Sequence, residues 1–277
     1  MSYSELMKSH LGSYKKTYLG ITESGKWRGR EYDHILPPSD IALNILQPIQ
    51  RNFADYQASH PNLKLHTYFA HLNSSQAACI NLFLPLLGTK LATMPSNHSL
   101  LGFDAKTIET YEFEYVPNGA EGTNFDFWAR MESSEEIFCE FKLTEVEFAR
   151  AKNDERHRQK LKDIYLPMLT GKVSPELLEP TRFFAHYQLL RNIAYAESDG
   201  SASVLFLVPR GNERLIRPLA EMREWLSPTI QPFVKVLYLE DVVSELRSSP
   251  DRNVSTYYDA YADKYLPSNC SIYEDCI

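Results

Sequence analysis

The chain has 277 residues, of which 43% are hydrophobic and 23% are charged, and its formal net charge at pH 7 is -7. This length is enough to bury a large core, and the composition excludes low-complexity, collagen-like and coiled-coil proteins. The negative net charge argues against a protein that coats nucleic acid nonspecifically, since that affinity comes from lysine and arginine side chains that neutralise phosphates.

The first part of the chain predicts helices. The stretch 39–53 predicts a helix that Pro48 kinks or splits. The segment 71–87 (HLNSSQAACINLFLPLL) offers Asn73 or Ser74 as an N-cap for a helix that is apolar nearly all round. Such a helix is buried on most sides, so we expect it to be central.

Three strands follow in the sequence. The ranges 107–115, 123–131 and 135–143 have the alternation or the apolar content of strands and are separated by short turns, which predicts antiparallel pairing. Thr144 then predicts the cap of a long helix from Glu145 to about Tyr165. Glu145 follows closely after Lys142 and is expected to be a first-turn acid that the helix dipole stabilises, the alternative being a partner of the charged residues before it.

The rest of the chain alternates between helices and strands. A helix over 182–196 leads into 203–208, an almost wholly apolar strand of the parallel, buried kind. The remaining pattern predicts a helix over 213–225, a strand over 233–239 and a tyrosine-rich helix over 254–266.

Charged side chains interrupt two of the apolar strands. Asp126 lies on the second strand, and Glu140 and Lys142 lie on the third. Alternation places Glu140 and Lys142 on one face and Phe141 on the other. If the two strands pair, both carboxylates can converge on a divalent cation, with the lysine beside the water that the cation activates. The alternative is a solvated strand end or a structural ion pair, but a buried charge is costly unless it is paired or bound to metal.

Two basic clusters also mark the sequence. The range 150–162 carries six basic residues against two acidic ones, and Lys26, Arg28 and Arg30 form the second cluster. Clusters of this kind contact nucleic acid or form a solvated surface, and the charge alone favours neither reading.

No segment predicts membrane insertion. The longest apolar run is interrupted by Asn81 and Pro85 and is too short to span a bilayer, and the first ten residues lack the apolar block of a signal peptide. The four cysteines have no zinc-site spacing and are expected to be reduced thiols. We therefore expect a cytoplasmic protein with no membrane partner.

The αβββαβ order, with an acid on the second strand and E-x-K on the third, resembles the PD-(D/E)xK restriction-endonuclease-like superfamily. Within it, the pieces HLNSSQAACINLFLPL, GTNFDFWA, EFKLTE and FFAHYQLLRNIAYA look like a branch of bacterial restriction endonucleases, and they lie within 26–209.

The resemblance implies an α/β fold of the α+β, mixed-sheet kind. An αβββαβ core would carry extra N-terminal helices and a C-terminal αβα extension. We expect a single domain over 1–277, with an N-terminal helical region over 1–70, a nuclease-like core over 71–209 and an extension over 210–277.

The resemblance also implies a metal-dependent nuclease. In it Asp126 and Glu140 hold Mg²⁺, which Mn²⁺ can replace, and the carbonyl of Phe141 adds a ligand. Lys142 positions the attacking water or stabilises the developing charge, and cleavage leaves the phosphate on the 5′ side. The proline of the superfamily's name is absent, since Asn124 and Phe125 precede the acid.

Four further site residues are expected. The central helix contains no acid, so Glu114, or otherwise Glu112, on the first strand is the candidate for a further metal ligand; an exposed charge is the alternative. Gln188 and Tyr195 look like the glutamine-bearing helix of exonuclease-like members, in which an amide helps to orient phosphate or lysine. Arg191 lies near the same helical face and is close enough to reach a DNA phosphate. For both Gln188 and Arg191, ordinary solvated helix surface is the alternative.

The expected reaction is hydrolysis of DNA phosphodiester bonds, with duplex DNA as the partner. One alternative is a catalytically inactive module that binds nucleic acid or a protein partner, and another is a hydrolase of smaller phosphate esters. The complete acid-lysine set favours activity, and the basic run from Arg150 favours a polymeric substrate. The sequence does not decide the oligomeric state. A homodimer is one possibility, because the twofold symmetry of a dimer matches a palindromic DNA site.

Overall fold

A computed structural model describes residues 1–87 and 108–267. The chain divides into two compact units. The first unit comprises Met1–Thr107, Pro209–Asn212 and Tyr238–Ile277, and the second comprises Ile108–Val208 and Glu213–Leu237. The expected single domain with three regions stays a prediction.

In chain order, the regular elements of the described ranges are α1 (Tyr3–Tyr18), β1 (Gly25–Trp27), β2 (Arg30–Tyr32), α2 (Gln50–Ser59), α3 (Ser75–Phe83), β3 (Ile108–Tyr115), β4 (Phe125–Met131), β5 (Glu136–Phe141), α4 (Glu155–Lys160), α5 (Leu166–Leu169), α6 (Pro180–Ala185), α7 (Tyr187–Ile193), β6 (Ala202–Val208), α8 (Glu213–Trp225), β7 (Val234–Tyr238), α9 (Leu239–Arg247) and α10 (Arg252–Tyr265).

Helix α3 is the buried centre of the first unit, as its sequence predicts. Ser74 caps it by accepting a hydrogen bond from the Ala77 N–H, and every residue after Ser75 is buried. Three tyrosine hydroxyls of α10 donate to carbonyl oxygens of α3, from Tyr257, Tyr258 and Tyr261. These bonds explain why a tyrosine-rich helix can be buried, since each hydroxyl finds an acceptor.

The other N-terminal elements differ from the predicted helices. The stretch predicted over 39–53 consists of two 3₁₀ segments, Pro38–Asn44 and Gln47–Ile49, followed by α2. The break at Pro48 is therefore correct, because the ring cannot continue a helix that begins before it. The hairpin of β1 and β2 and the helices α1 and α9 were not among the predicted elements.

The second unit is built on a five-stranded mixed sheet with the order β3-β4-β5-β6-β7. Strands β3, β4 and β5 pair antiparallel, and β5 pairs parallel with β6. The predicted antiparallel trio and the parallel, buried strand are thus confirmed. This is the α+β, restriction-endonuclease-like fold that the sequence predicts.

The helix predicted over 145–165 is wrong in its first half. Helix α4 begins only after Asp154, whose side chain accepts a hydrogen bond from the His157 N–H. Residues 142–154 form an irregular loop. Within it, the Ala149 N–H donates to Gln188 Oε1, and the Ala149 carbonyl oxygen accepts from the Gln188 backbone N–H. These backbone groups are therefore not available for the hydrogen bonds of a helix. The Glu145 carboxylate accepts from the Leu143 N–H at 2.8 Å and is not a first-turn acid.

The helix predicted over 182–196 is two helices, α6 and α7, which His186 separates. The predicted bounds of α8 match the observed ones. No helix in the described ranges is both long enough and apolar enough to cross a membrane.

Candidate active site

The strand register brings the two predicted acids together. Phe127 pairs with Cys139 across β4 and β5, so the neighbouring residues Asp126 and Glu140 are opposite each other and on the same face of the sheet. One residue beyond Glu140 on β5, the Phe141 N–H donates to Asp126 Oδ2, at 2.7 Å. A side chain thus takes the place of a backbone acceptor, and the carboxylate is held at the edge of the ladder.

Lys142 lies beside Glu140, as strand alternation predicts. Its Nζ is 2.7 Å from Glu140 Oε1, and the two side chains are 15% and 3% exposed. Phe141, between them, is buried on the other side of the sheet. The ion pair is therefore largely shielded from solvent, where charges interact more strongly than they do at a surface.

Glu140 is held by two amide side chains of α7. Gln188 Nε2 donates to Glu140 Oε1 at 2.7 Å, and Asn192 Nδ2 donates to Oε2 at 2.8 Å. A carboxylate offers about four acceptor positions. Together with Lys142, the two amides occupy three of them, and the position that remains is on Oε2.

Gln188 also connects α7 to the loop that follows Lys142. Its Oε1 accepts from the Ala149 N–H at 2.7 Å, and its own N–H donates to the Ala149 carbonyl oxygen at 3.0 Å. The predicted amide is therefore at the site, where it contacts the glutamate. Asn192 was missed by the sequence reasoning, although its spacing of one helical turn from Gln188 in Q-x-x-x-N could have indicated it.

The charges at the site shift each other's proton affinities. Burial raises the pKa of Asp126 well above its usual range, and the carboxylates of Glu140 and Glu114 add to the rise, whereas Lys142 opposes it. Burial lowers the pKa of Lys142, but Glu140, Glu145 and Asp126 outweigh this and hold the pKa above its usual range. The acids outnumber the lysine, so the site has the charge balance that a divalent cation would neutralise.

Glu114 is next to Asp126 on the other side. It falls between two register pairs that place it opposite Asp126, and Asn124 Nδ2 donates to its carboxylate at 2.5 Å. Its φ of 58° is unusual for a residue with a side chain. Glu112 pairs with Trp128 instead and is exposed. Of the two acids predicted for this strand, Glu114 is the one near the site, and its role as a ligand stays a prediction.

A second buried carboxylate, Glu121, was not predicted. It is 2% exposed and accepts hydrogen bonds from the N–H and hydroxyl of Thr123 and from the hydroxyls of Tyr165 and Tyr195. Burial raises its pKa, but these hydrogen bonds outweigh burial and lower it overall. The sequence around Glu121 indicates only a turn, so no local pattern could have revealed this cluster.

Two other expected residues have mainly packing contacts. Tyr195 donates to Glu121 Oε2 at 2.9 Å and packs against Phe125 and Phe138. The Arg191 guanidinium lies 5.4 Å from the centre of the Tyr187 ring. The phosphate contact expected of Arg191 stays a prediction.

The basic run 150–162 keeps much of its charge exposed. Arg150 pairs with Glu147 at 3.5 Å, and Lys160 donates to the Glu121 carbonyl oxygen at 2.7 Å. The other basic side chains of the run are exposed to solvent, at Lys152, Arg156, Arg158 and Lys162. Contact with DNA at this surface stays a prediction.

The ligands at this site suit a cation whose coordination shell the protein fills only in part. Within 1–87 and 108–267, no group of three or more His, Cys, Asp or Glu side chains is arranged to hold a metal ion. Mg²⁺ is commonly bound by one or two carboxylates and completes its shell with water and substrate phosphate. Asp126 Oδ1 accepts no hydrogen bond from the described residues, and Glu140 Oε2 has one acceptor position left. The two acids therefore fit Mg²⁺ as a partial ligand set.

The comparison with protein families agrees with this geometry. The model of one family, described as restriction endonuclease associating with ARP, matches residues 8–266. The match covers nearly the whole chain and confirms the resemblance to restriction endonucleases. No curated protein and no solved structure matches the chain.

Proposed function

We propose that this chain, which belongs to the family of restriction endonucleases associating with ARP, hydrolyses DNA phosphodiester bonds in a metal-dependent reaction. The observation that carries the proposal is the ion pair of Lys142 with Glu140, 2.7 Å long, next to Asp126 on the neighbouring strand. An acid pair with an adjacent lysine is suited to phosphodiester hydrolysis, because the acids can hold a metal ion that activates water and the lysine can stabilise charge on the anionic phosphate.

Asp126 and Glu140 are the proposed ligands of Mg²⁺ or Mn²⁺, with the Phe141 carbonyl and Glu114 as further ligands. When bound, the ion lowers the pKa of a water molecule and neutralises charge on the phosphate. The acceptor positions that Asp126 Oδ1 and Glu140 Oε2 retain among the described residues support this assignment.

Lys142 is proposed as the residue that contacts the reacting phosphate or the attacking water. Its raised pKa keeps the ammonium group protonated at neutral pH. The ion pair with Glu140 fixes the position of that charge, so little reorganisation is needed when negative charge develops on the phosphate. Gln188, predicted among the catalytic residues, is assigned a positioning role with Asn192, since both act through Glu140.

Cleavage of DNA by the purified full-length chain tests the proposal. Circular and linear duplex DNA are incubated with Mg²⁺ or Mn²⁺, and EDTA is the metal-free control. We expect nicked or linear product from the wild type, none with EDTA, and none from Lys142→Ala. Lys235→Ala removes a lysine from β7 of the same sheet and is expected to cleave like the wild type. Undiminished cleavage by Lys142→Ala would contradict the role given to this residue.

An inactive binding module is the alternative function on this fold. Calorimetric titration with Mn²⁺ separates the two, because an inert module does not require metal at Asp126 and Glu140. We expect binding by the wild type and weaker binding by Asp126→Ala. The retained acids and lysine favour the active form, since an inactive module has no need to keep a costly buried ion pair.

Duplex DNA is the proposed substrate, and the exposed charge of the run 150–162 supports a polymeric anion over a small phosphate ester. The family's description names association with ARP, and we extend that association to this chain as part of the proposal. A homodimer stays a prediction, and sedimentation of the chain with and without DNA would test it.

A further inference from the structure

One side of the β1–β2 hairpin in the first unit is lined by aromatic rings. Trp27 pairs directly with Arg30 across the two strands, and paired residues point to the same side of an antiparallel ribbon. The Trp27 ring packs against Tyr68 and His71, with centroid distances of 4.9 and 5.3 Å. Tyr68 meets His71 edge-on at 5.2 Å. We call Trp27, Arg30, Tyr68 and His71 the aromatic face.

The aromatic face is open to solvent. Tyr68 is 43% exposed, Trp27 and His71 are half-buried, and Arg30 is exposed. Packed rings of this kind form a rigid apolar surface that loses little conformational entropy on binding. Burial and the charge of Lys8 lower the pKa of His71, so its ring is neutral at physiological pH. The rings are tilted to one another, by 50° between Trp27 and Tyr68 and by 81° between Trp27 and His71, so they offer an exposed, uncharged aromatic surface with more than one ring face.

Positive charge borders these rings. Arg28 and Gly29 form the hairpin turn and both have positive φ, of 50° and 77°, as a tight two-residue hairpin turn requires. The turn places the Arg28 guanidinium 5.8 Å from the centre of the Trp27 ring. Arg28 and Arg30 are exposed, and neither forms an ion pair with a residue that the structure describes.

The acids of the hairpin are paired away from the rings. Glu31 forms an ion pair with Lys26 at 3.4 Å, and these two residues are register partners next to Trp27 and Arg30, so they point to the opposite side of the ribbon. Asp33 accepts hydrogen bonds from Lys16 and Ser24 at 2.8 and 2.7 Å. The aromatic face thus keeps a net positive charge on a chain whose formal net charge is -7.

We propose that the aromatic face binds unpaired DNA bases, which stack on Tyr68 and Trp27 while Arg28 and Arg30 bind the adjacent phosphates. The choice of DNA as the polymer rests on the proposed function. Stacking accepts any base because every base has a π-face, and arginine matches phosphate with two parallel hydrogen bonds. An acidic peptide would satisfy the arginines but leave the rings exposed, and an intact duplex hides its base faces.

Binding of a labelled single-stranded oligonucleotide to the full-length protein, measured by fluorescence anisotropy in EDTA, tests the proposal without cleavage. We expect Tyr68→Ala to weaken binding about ten-fold, since the base loses its stacking partner. Tyr68→Phe keeps the ring and is expected to bind like the wild type. Tyr68 is exposed, so its loss should leave folding intact, and circular dichroism of each variant checks this.

The two sides of the hairpin provide a matched control. Arg30→Gln and Lys26→Gln each remove one positive charge from the same hairpin, but only Arg30 is on the aromatic face. We expect Arg30→Gln to weaken binding and to reduce the slope of log affinity against log salt by about one, and Lys26→Gln to change both much less.

Three results would overturn the proposal: equal affinities of Tyr68→Ala and the wild type, equal losses in the two glutamine variants, or binding to blunt duplex DNA or polyglutamate as tight as to the single strand. The measurement needs neither metal nor turnover. A failure of DNA cleavage would therefore count against the proposed hydrolysis and leave this result as a separate finding.

Discussion

Gln188 and Asn192 lie one turn apart on α7, and each donates a side-chain amide N–H to a different oxygen of Glu140. The spacing puts both amides on one face of the helix, directed at the strand that carries the acid. Asn192 Oδ1 is buried and accepts no hydrogen bond from the described residues. The Asn192 amide thus donates to Glu140 although its own oxygen has no partner among the described residues.

Removing the Asn192 amide should weaken metal binding. In Asn192→Ala, Glu140 loses the donor that fixes Oε2, and loss of a partner that orients a ligand typically costs about 10- to 100-fold in metal affinity. Calorimetric titration with Mn²⁺ measures the change. Asn253→Ala, at an exposed position in the first turn of α10, is the control and should bind like the wild type. Equal affinities for the two variants would show that Asn192 has only a packing role.

Neutralising Asp126 should stabilise the metal-free protein and abolish its activity. The raised pKa of Asp126 means that its charged form is disfavoured by burial and by Glu140, so the penalty grows as pH rises through the unfolded value of 3.8 toward the folded value. Asp126→Asn removes the charge and keeps an oxygen for the Phe141 N–H.

We therefore expect Asp126→Asn in EDTA to unfold at a higher temperature than the wild type at pH 7, and to lose both Mn²⁺ binding and DNA cleavage. Differential scanning calorimetry with and without Mn²⁺ gives both readings. A variant that is less stable than the wild type in EDTA would mean that the carboxylate contributes more through its hydrogen bond than it costs through repulsion.

Glu121 should contribute stability that is lost in acid. Its pKa is lowered, since hydrogen bonds from Thr123, Tyr165 and Tyr195 outweigh burial. This contribution is present above the unfolded value of 4.5 and disappears as pH falls through the lower folded value.

Replacing Glu121 by Gln should therefore cost about 2 kcal/mol of the free energy of unfolding at pH 7, because buried donors lose an ionised acceptor, and less at pH 3. Urea unfolding at several pH values measures the difference. Glu176→Gln, at an exposed position of the same unit, is expected to have little effect at any pH. A Glu121→Gln penalty that is independent of pH would contradict this explanation.

Lys264 should make the protein more stable as pH rises. Its side chain is fully buried and donates to the carbonyl and side-chain oxygens of Asn44. Burial lowers its pKa well below the usual value of 10.5. Between the lowered folded pKa and the unfolded pKa, the unfolded chain binds more protons than the folded one, so stability increases with pH over that window.

Lys264→Met should flatten this dependence. Relative to the wild type, the variant should gain most in free energy of unfolding at the lowest pH. Urea unfolding at several pH values from about 6 to about 9 measures the slope of the free energy of unfolding against pH. Lys64→Met, at an exposed lysine of the same unit, should leave the slope unchanged. A wild-type slope of zero over this range would show that the Lys264 ammonium is charged in the fold.

The parts of the fold that the sequence predicted depend on local patterns. Alternation and apolar runs predicted the antiparallel trio of strands and the parallel β6, and alternation also placed Glu140 and Lys142 on one side of β5. Ser74 was recognisable as a cap because its position before an apolar helix is a local signal.

The parts that were wrong or missed depend on contacts between distant residues. The loop before α4 has a helical composition, yet hydrogen bonds between Ala149 and Gln188, far away in the chain, hold it in another conformation. Glu121 finds its partners on segments that lie well beyond it in the sequence. Propensity and periodicity describe neighbours along the chain, so they contain no information about such pairs.

The hydrogen bonds that Glu140 accepts also affect which metal ion the site can bind. With Lys142, Gln188 and Asn192 filling three acceptor positions, this carboxylate can offer one oxygen to a cation but cannot chelate it with both. Calcium takes six to eight oxygen ligands and often uses bidentate carboxylates, whereas magnesium needs a compact octahedral shell. Under the proposed chemistry, calcium should therefore be a poor substitute, and the discrimination would come from the amide pair on α7, which never touches the ion.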